Sequence, residues 1–404
     1  MNILYIAYSC SPVYGSEDKI GWQIPWHSAK ENNVWVLTKE EHRKDIEKYL
    51  SINKNESIHF FYADIPVQYK KVFKGALYSG RLNLWNKYAY IIAEQICAQN
   101  KIDVIHQITP VEFRSIGDYG KIPNVKFVCG PIAGGQAVPK ELKAYTASHK
   151  TIETVRTVLN SYVRMKHRIR RKYKECDYIF FANRETADYL YDSELKQDKW
   201  SILPDVSASK EEFSVKAKEN LSKKTCVFLV VGRLVYLKGH AFLLEALAKI
   251  PDDIDFRCIF VGKGPEREHL EKQCKKTGLE QKVSFVGSVP WSQIGEYYEN
   301  ADVLIVPSLR EATGTVIMEA MTKAMPVVTI NKFGGAILLD ESCAWLYDGV
   351  SREDYVDNLS QSIISCISHP EVVLQKGKNA QERARHYIWE KKVEVFQKVY
   401  RSLI

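Results

Sequence analysis

The sequence lacks any apolar run approaching the ~18–20 residues that a membrane-spanning helix requires. Its longest runs are pieces such as CVFLVV (226–231) and YIFFA (178–182). The opening residues, MNILYIAYSCSP, place no basic segment ahead of a short apolar stretch, so a cleaved leader is not expected. There is no C-x-x-C. The nine cysteines, at 10, 97, 129, 176, 226, 258, 274, 343 and 366, stand at least 16 residues apart. That removes the spacing on which a zinc site or redox dithiol relies and leaves buried, reduced thiols of a cytosolic protein as the expectation. No low-complexity tract appears, and no period of ~20–50 residues repeats closely enough for a solenoid. A full G-x-G-x-x-G is also missing, which excludes the dinucleotide fingerprint.

What is present is the composition of a soluble protein: 404 residues, 45% hydrophobic and 26% charged, with a mean hydropathy of −0.28. At ~150 residues per domain this length predicts two or three domains. Lys and Arg number 57 against 49 Asp and Glu, a net charge of +8. Such a balance suits a polyanionic partner: nucleotide, nucleic acid or anionic membrane. The charge is uneven, because RMKHRIRRKYK (164–174) holds seven cations and no acid.

Short apolar runs alternate with helical patterns along the chain. NILYIAYS (2–9), VWVLT (34–38), IHFFYA (58–63), DVIHQI (103–108) and VKFVCG (125–130) read as strands, with a helical pattern over about 68–100. The rhythm restarts with TCVFLVVG (225–232), FRCIFVG (256–262), VSFVG (283–287), DVLIVPS (302–308) and PVVTI (326–330). Strands alternating with helices predict βαβ units and parallel sheets, here in two α/β domains. SILPDVSASKEEFS (201–214) reads as the linker between them, and the last ~35 residues read as helix, with Trp389 at a junction of two pieces.

Several segments carry the chemistry. In VVGRLVYLKGH (230–240) a buried strand ends at Gly232, and Arg233 and Lys238 follow before a helix begins near Gly239. Two cations after a strand's carboxyl end can clamp a diphosphate; the alternative is a solvated loop with two ordinary charges. In PSLREATGTVIMEAMTKAMPVVTI (307–330), Glu311 lies in a loop and Glu319 in a helix starting near Thr315. Eight helical residues would span ~12 Å, about the length of a nucleotide sugar from hexose to ribose. A carboxylate suits vicinal diols, and the N–H groups of Gly314, Thr315 and Val316 would face a diphosphate between them. The alternative is one loop and one surface glutamate, although Glu319 sits between Met318 and Ala320, on a mostly apolar helix. VGKGPER (261–267), with Gly262 and Gly264, is a weaker strand-end turn, and FVGSVP (285–290) supplies a neighbouring loop for a base pocket. In the first half, Pro12, Gly15, Ser16 and Glu17 form the first βα loop, and GPIAGGQAVPKEL (130–142) makes a shaped loop that reads equally as a structural turn or a ligand contact.

Taken together, GRL…KG, VGKGP and the E-x7-E pair Glu311…Glu319, in this order within ~90 residues, resemble the retaining glycosyltransferases of family 4. The loops SPVYGSE and GPIAGG and the strand DVIH look like a subgroup that builds bacterial surface polysaccharides. The resemblance covers essentially the whole chain. It implies the GT-B fold: two Rossmann-like domains with parallel sheets facing a cleft, and a last helix crossing back onto the N-terminal domain. The expected bounds are 1–205 for the acceptor-binding domain, 206–380 for the nucleotide-sugar domain and 381–404 for the returning helix. By position, Arg233 and Lys238 would neutralise the departing diphosphate, Glu311 would hold the transferred hexose and Glu319 the ribose. Gly232, Gly262, Gly264, Gly314, Thr315 and Val316 would complete the donor site; Gly15, Ser16, His106, Gly134 and Gly135 would lie on the acceptor side. No metal and no cofactor are expected beyond the nucleotide-diphosphate sugar as co-substrate.

Three departures from the family pattern stand out. Many relatives carry a histidine in the acceptor-side loop where this chain reads VCGPIAGG; His106, one strand earlier, is the nearest candidate. The segment usually reading E-G-F/C-G is Glu311-Ala312-Thr313-Gly314 here. After Gly334 and Gly335, Ile337 or Leu338 stands where an acid is expected, with Glu341 beyond. The implied partners are a UDP- or GDP-sugar, a glycan or polyprenyl-diphosphate-linked saccharide acceptor, and an anionic membrane surface met through 164–174. The expected location is cytoplasmic, peripheral on the inner face of the membrane. The competing readings are a GT-B nucleotide-sugar 2-epimerase and a nucleic-acid-binding protein. The latter needs aromatic residues interleaved with the cations, and only Tyr173 qualifies.

Overall fold

A computed structural model describes residues 1–72, 78–190, 197–214, 225–290 and 293–404; the side chains of 71, 72, 78, 197 and 214 also fall outside that description. The described strands form two sheets in two compact units.

The first unit comprises Met1–Gly135, Arg156–Ser207 and Trp389–Ile404. Its strands are β1 (Asn2–Ala7), β2 (Asn33–Lys39), β3 (Ile58–Ala63), β4 (Val104–Thr109), β5 (Lys126–Ile132), β6 (Tyr178–Phe181) and β7 (Trp200–Ile202), paired in parallel in the order β3-β2-β1-β4-β5-β6-β7. Side chains alternate across a strand, and β1 shows the result. Leu4 and Ile6 enter one core with Leu82 and Trp85 of the helix Tyr78–Gln99. Ile3, Tyr5 and Ala7 enter the other with Trp389, Phe396 and Tyr400 of the C-terminal helix Trp389–Leu403. That helix is pinned by the buried Lys392, whose Nζ donates to the carbonyls of Pro204 (2.6 Å), Asp205 (2.6 Å) and Val206 (2.9 Å). Burial pulls the ammonium's pKa down to about 7, against the opposing charge of Asp205.

The second unit comprises Gln136–Val155 and Ala208–Ile388. Its strands are β8 (Cys226–Val231), β9 (Phe256–Val261), β10 (Val283–Gly287), β11 (Val303–Val306), β12 (Val327–Ile330) and β13 (Ala344–Tyr347), in the order β10-β9-β8-β11-β12-β13. Both sheets therefore reverse direction beside their first strand, the doubly wound arrangement in which ligands bind at the strands' carboxyl ends.

Two expected domain limits are corrected. Residues 136–155 belong to the second unit because Val138 and Leu142 lie in its core and Tyr145 packs edge-on against Phe242 at 5.1 Å. Residues 381–388 belong there too: Tyr387 donates to the Ile337 carbonyl at 3.1 Å, and Ile388 bridges Ala208. The polar linker starts later than expected, because Trp200–Ile202 pairs with β6. All nine cysteines are free, and no described helix is long and apolar enough to cross a membrane.

Candidate functional site

The carboxyl edge of the second sheet is a platform of loops stitched by backbone hydrogen bonds. Gly232 N–H donates to the Val261 carbonyl (3.0 Å), Leu234 to Lys263 (3.0 Å), Gly262 to Gly287 (2.8 Å) and Leu309 to Leu237 (2.9 Å). The loops after β8, β9, β10 and β11 are thus bonded into one surface. Glycine is required where they touch. A Cβ on Gly262 would stand 1.8 Å from the Gly232 carbonyl oxygen, and one on Gly239, at φ +67°, would stand 2.0 Å from that of Pro307. Gly264 lies in the same turn after β9, its carbonyl capping the helix Arg267–Lys276 through Arg267 N–H (3.3 Å).

Charged groups are set on this platform. Arg233 is exposed directly after Gly232. Lys238 closes a single 3-10 turn, Tyr236–Lys238, and its ammonium pairs with Glu311, whose Oε2 also accepts from Ser308 Oγ at 3.2 Å. Gly314, at φ +90°, caps the helix Thr315–Thr322, so the first-turn N–H groups of Thr315 and Val316 stand at the edge where Glu311 lies. Their positive partial charge is aimed out of the helix end. Glu319, on the next turn, is half-buried and accepts from Tyr298 OH at 2.7 Å. Here the structure brings together Arg233, Lys238 and Glu311 with the glycines between them.

The first unit arranges its expected residues differently. Gly15 is half-buried and Ser16 exposed at the start of the helix Glu17–Ser28, with Ser16 at φ 57°, a strained value for a residue with a Cβ. Gly134 and Gly135 follow β5; Gly134's carbonyl accepts from Arg156 Nη2 at 3.0 Å and Gly135 N–H donates to Thr186 at 3.3 Å. His106 is corrected. It lies in the middle of β4, fully buried, with Nδ1 on Tyr400 OH and Nε2 on the Gly130 carbonyl at 2.7 Å. Burial lowers its pKa to about 3, the Gly130 bond opposing. Both ring nitrogens are occupied inside the core, so none is left for an acceptor.

Sequence reasoning passed over other residues here. Glu153 accepts from Tyr236 OH through Oε1 and from Arg310 Nη1 through Oε2, both at 2.7 Å. It thereby ties together the two loops bearing Lys238 and Glu311, and His149 stacks on Tyr236 at 3.9 Å. No local motif could have announced this, since Glu153 lies 83 residues from Tyr236 and 157 from Arg310. In the first unit Glu17, quoted in the first βα loop but given no role, accepts from Val111 N–H at 2.7 Å. Burial raises its pKa to about 7, that bond opposing and Glu112, Asp205 and Asp18 adding to the rise.

Residues 211–386 match the family model described as Glycosyl transferases group 1. An uncharacterized glycosyltransferase of Methanocaldococcus jannaschii, MJ1607, is 35% identical over 124 residues, 30% of this chain and 32% of its own. The D-inositol 3-phosphate glycosyltransferase of Corynebacterium urealyticum is 31% identical over 193 residues, 45% of this chain and 44% of its own. The chain therefore spans less than half the length of these relatives. Over the whole chain, the Anabaena protein Alr3699/HepE, solved in complex with UDP, superposes with a TM-score of 0.65 at 16% identity, covering 100% of both chains. The chain has the GT-B fold, and its second unit holds the segment matching glycosyltransferase group 1.

Proposed function

We propose that the protein is a retaining glycosyltransferase that moves a hexose from a nucleotide-diphosphate sugar to a glycan or lipid-linked saccharide. One observation carries the reading: the bonded loop platform holds Arg233, Lys238, Glu311 and the Gly314-capped helix end on one sheet edge, within the segment matching glycosyltransferase group 1. The bond broken joins sugar C1 to a phosphate oxygen. Positive charge grows on the sugar and negative charge on the leaving diphosphate. Arg233, Lys238 and the N–H groups of Thr315 and Val316 address the second, as fixed charges and dipoles that need no reorganisation. Lys238 would exchange its bond to Glu311 for the diphosphate, freeing Glu311 for the hexose hydroxyls; Glu319 would take the ribose diol. The leaving phosphate oxygen accepts the acceptor's proton, so neither a separate base nor a metal is required.

On this reading the first unit meets the acceptor, with Gly15, Ser16, Gly134 and Gly135 among its contacts, and the basic segment 164–174 meets the anionic inner face of the cytoplasmic membrane. A role in surface-polysaccharide synthesis follows from a lipid-linked acceptor. The test is incubation with a panel of UDP- and GDP-sugars, following nucleotide release and the anomeric configuration of the product, with and without EDTA. Release from one donor with a retained anomer, insensitive to EDTA, is the expected result. Inversion, or loss on chelation restored by Mg²⁺ or Mn²⁺, overturns the mechanism; epimerised sugar formed without acceptor overturns the transferase reading.

A further inference from the structure

A hollow of about 750 Å³ opens in the first unit between the helix Tyr78–Gln99, the loop around Asp118 and the end of the helix Lys150–Ile169. Five cations line it, Lys87, Lys121, Lys166, Arg170 and Lys172, against one carboxylate, Asp118. Lys172 is 5% exposed; its ammonium bonds to Asp118 and to the Gly117 carbonyl at 3.1 Å. Lys121 takes the same carboxylate at 2.9 Å. Asp118 is thus spent on Lys172 and Lys121, which Glu175 also approaches at 3.8 and 3.7 Å, while Lys87, Lys166 and Arg170 have no ion pair among the described residues. The field is felt by His167 in the hollow wall: burial and then Lys172, Lys166 and Arg170 hold its pKa down at about 4, Asp118 opposing.

The helix that carries Lys166 and Arg170 also carries an uncovered apolar face. Val158, Tyr162, Met165 and Ile169 repeat at i, i+4, i+7 and i+11, on one side of the helix. All are exposed, Val158 by 62% and Ile169 by 74%. The helix is seated instead through Asn160 and His167, both buried. The helix is therefore amphipathic with this apolar stripe turned to solvent. Lys166 and Arg170 each follow a stripe residue by one position, so the hollow runs along the flank of the stripe.

We propose that this hollow binds the phosphate of an anionic phospholipid while the stripe enters the acyl boundary beside it. A bilayer surface presents both chemistries together, apolar chains beneath a rim of phosphates, and interfacial helices engage it with cations flanking a buried apolar face. The inference rests on the membrane contact read above for 164–174 and adds a specific seat to it.

Sedimentation of the full-length protein with vesicles tests this. The probes are phosphatidylcholine mixed with phosphatidylglycerol and, at matched surface charge, phosphatidylcholine mixed with oleate. Two triple variants are compared after their melting and nucleotide binding are shown to be unchanged: Lys87→Gln/Lys166→Gln/Arg170→Gln in the hollow, and Arg164→Gln/Arg168→Gln/Lys174→Gln outside it. Loss of surface attraction alone weakens binding roughly fivefold per cation in either triple. The hollow triple is expected to lose at least about tenfold more on phosphatidylglycerol, and with it the preference for phosphatidylglycerol over oleate. Equal losses in the two triples, or no lipid preference in the unmodified protein, overturn the phosphate seat and leave a diffuse membrane contact. Absence of binding to both vesicles overturns the membrane contact as well. Nucleotide release measured in the same preparations reports separately on the transferase reading.

Discussion

The two sheets share one strand order, yet their carboxyl edges are furnished in opposite ways. In the second unit the edge is charged and half-exposed: Arg233, Lys238 and Glu311 stand on loops that glycines allow to touch. In the first, polar groups in and beside the sheet are drawn inward, where burial opposes their charged forms. His106 is held unprotonated between Tyr400 and Gly130, and Glu17 is held near half-ionisation by burial. A doubly wound sheet offers a site at its switch point without dictating what fills it. The second unit lines it with charged, half-exposed loops; the first buries one face of its sheet under its own C-terminal helix, Trp389–Leu403.

If that contrast is right, mutations should split by unit. The largest effect belongs to Lys238→Ala, which removes a preorganised cation from the second edge and should cost ~10²–10³ in kcat/KM, with melting nearly unchanged. A near-normal rate in steady-state nucleotide-release assays would erase the distinction. Lys392→Met should do the reverse. It strands three buried carbonyls in the first unit, costing about 3 kcal/mol and lowering Tm by roughly 5–10 °C, while nucleotide affinity in the second unit, read by calorimetry, holds. Glu153→Gln sharpens the comparison further. Glutamine keeps the shape but cannot accept through both oxygens from Tyr236 and Arg310, so the loops of Lys238 and Glu311 loosen. About a tenfold fall in kcat/KM is expected, rescued by Glu153→Asp less than by the native residue. The smallest effect concerns His106→Gln. Well above pH 6.5 the histidine is neutral whether the chain is folded or unfolded. As pH falls from 6.5 towards about 3, the unfolded chain takes a proton that the folded core refuses, so stability is lost. Over the first pH unit below 6.5 the native protein should lose up to about 1 kcal/mol that the variant does not. Identical pH profiles of Tm would show that the ring titrates freely.

The same contrast explains what could be read from the chain alone. The second edge was legible because its chemistry is local: strand, glycine, Arg233, Lys238 within ten residues, and Glu311 through Glu319 within another nine. The core strands were legible for the same reason, since runs such as CVFLVV and VLIV are apolar without interruption. The edge strands β7 and β13 were not read as strands because their central residues are only half-buried and form no continuous apolar run; β6 was seen only as the apolar run YIFFA. His106 was misread because a histidine in an apolar strand looks alike whether it faces a ligand or the buried Tyr400, 294 residues away. Glu153 was missed because its role exists only after folding brings it to Tyr236 and Arg310.

The segment Gln136–Val155 has one more consequence, for how this chain can be cut. It comes from the first half of the sequence, yet it supplies Val138 and Leu142 to the second unit's core, Tyr145 to Phe242 and Glu245, and Glu153 to the loops of Lys238 and Glu311. The segment Trp389–Ile404 makes the opposite journey, from the end of the sequence into the first unit. A single cut near residue 206 therefore yields two damaged pieces: one without its last helix, the other with a hole beside Phe242 and a stranded apolar helix. Any exchange of units between this chain and another must move four junctions together, so neither unit can be transplanted as one contiguous cassette.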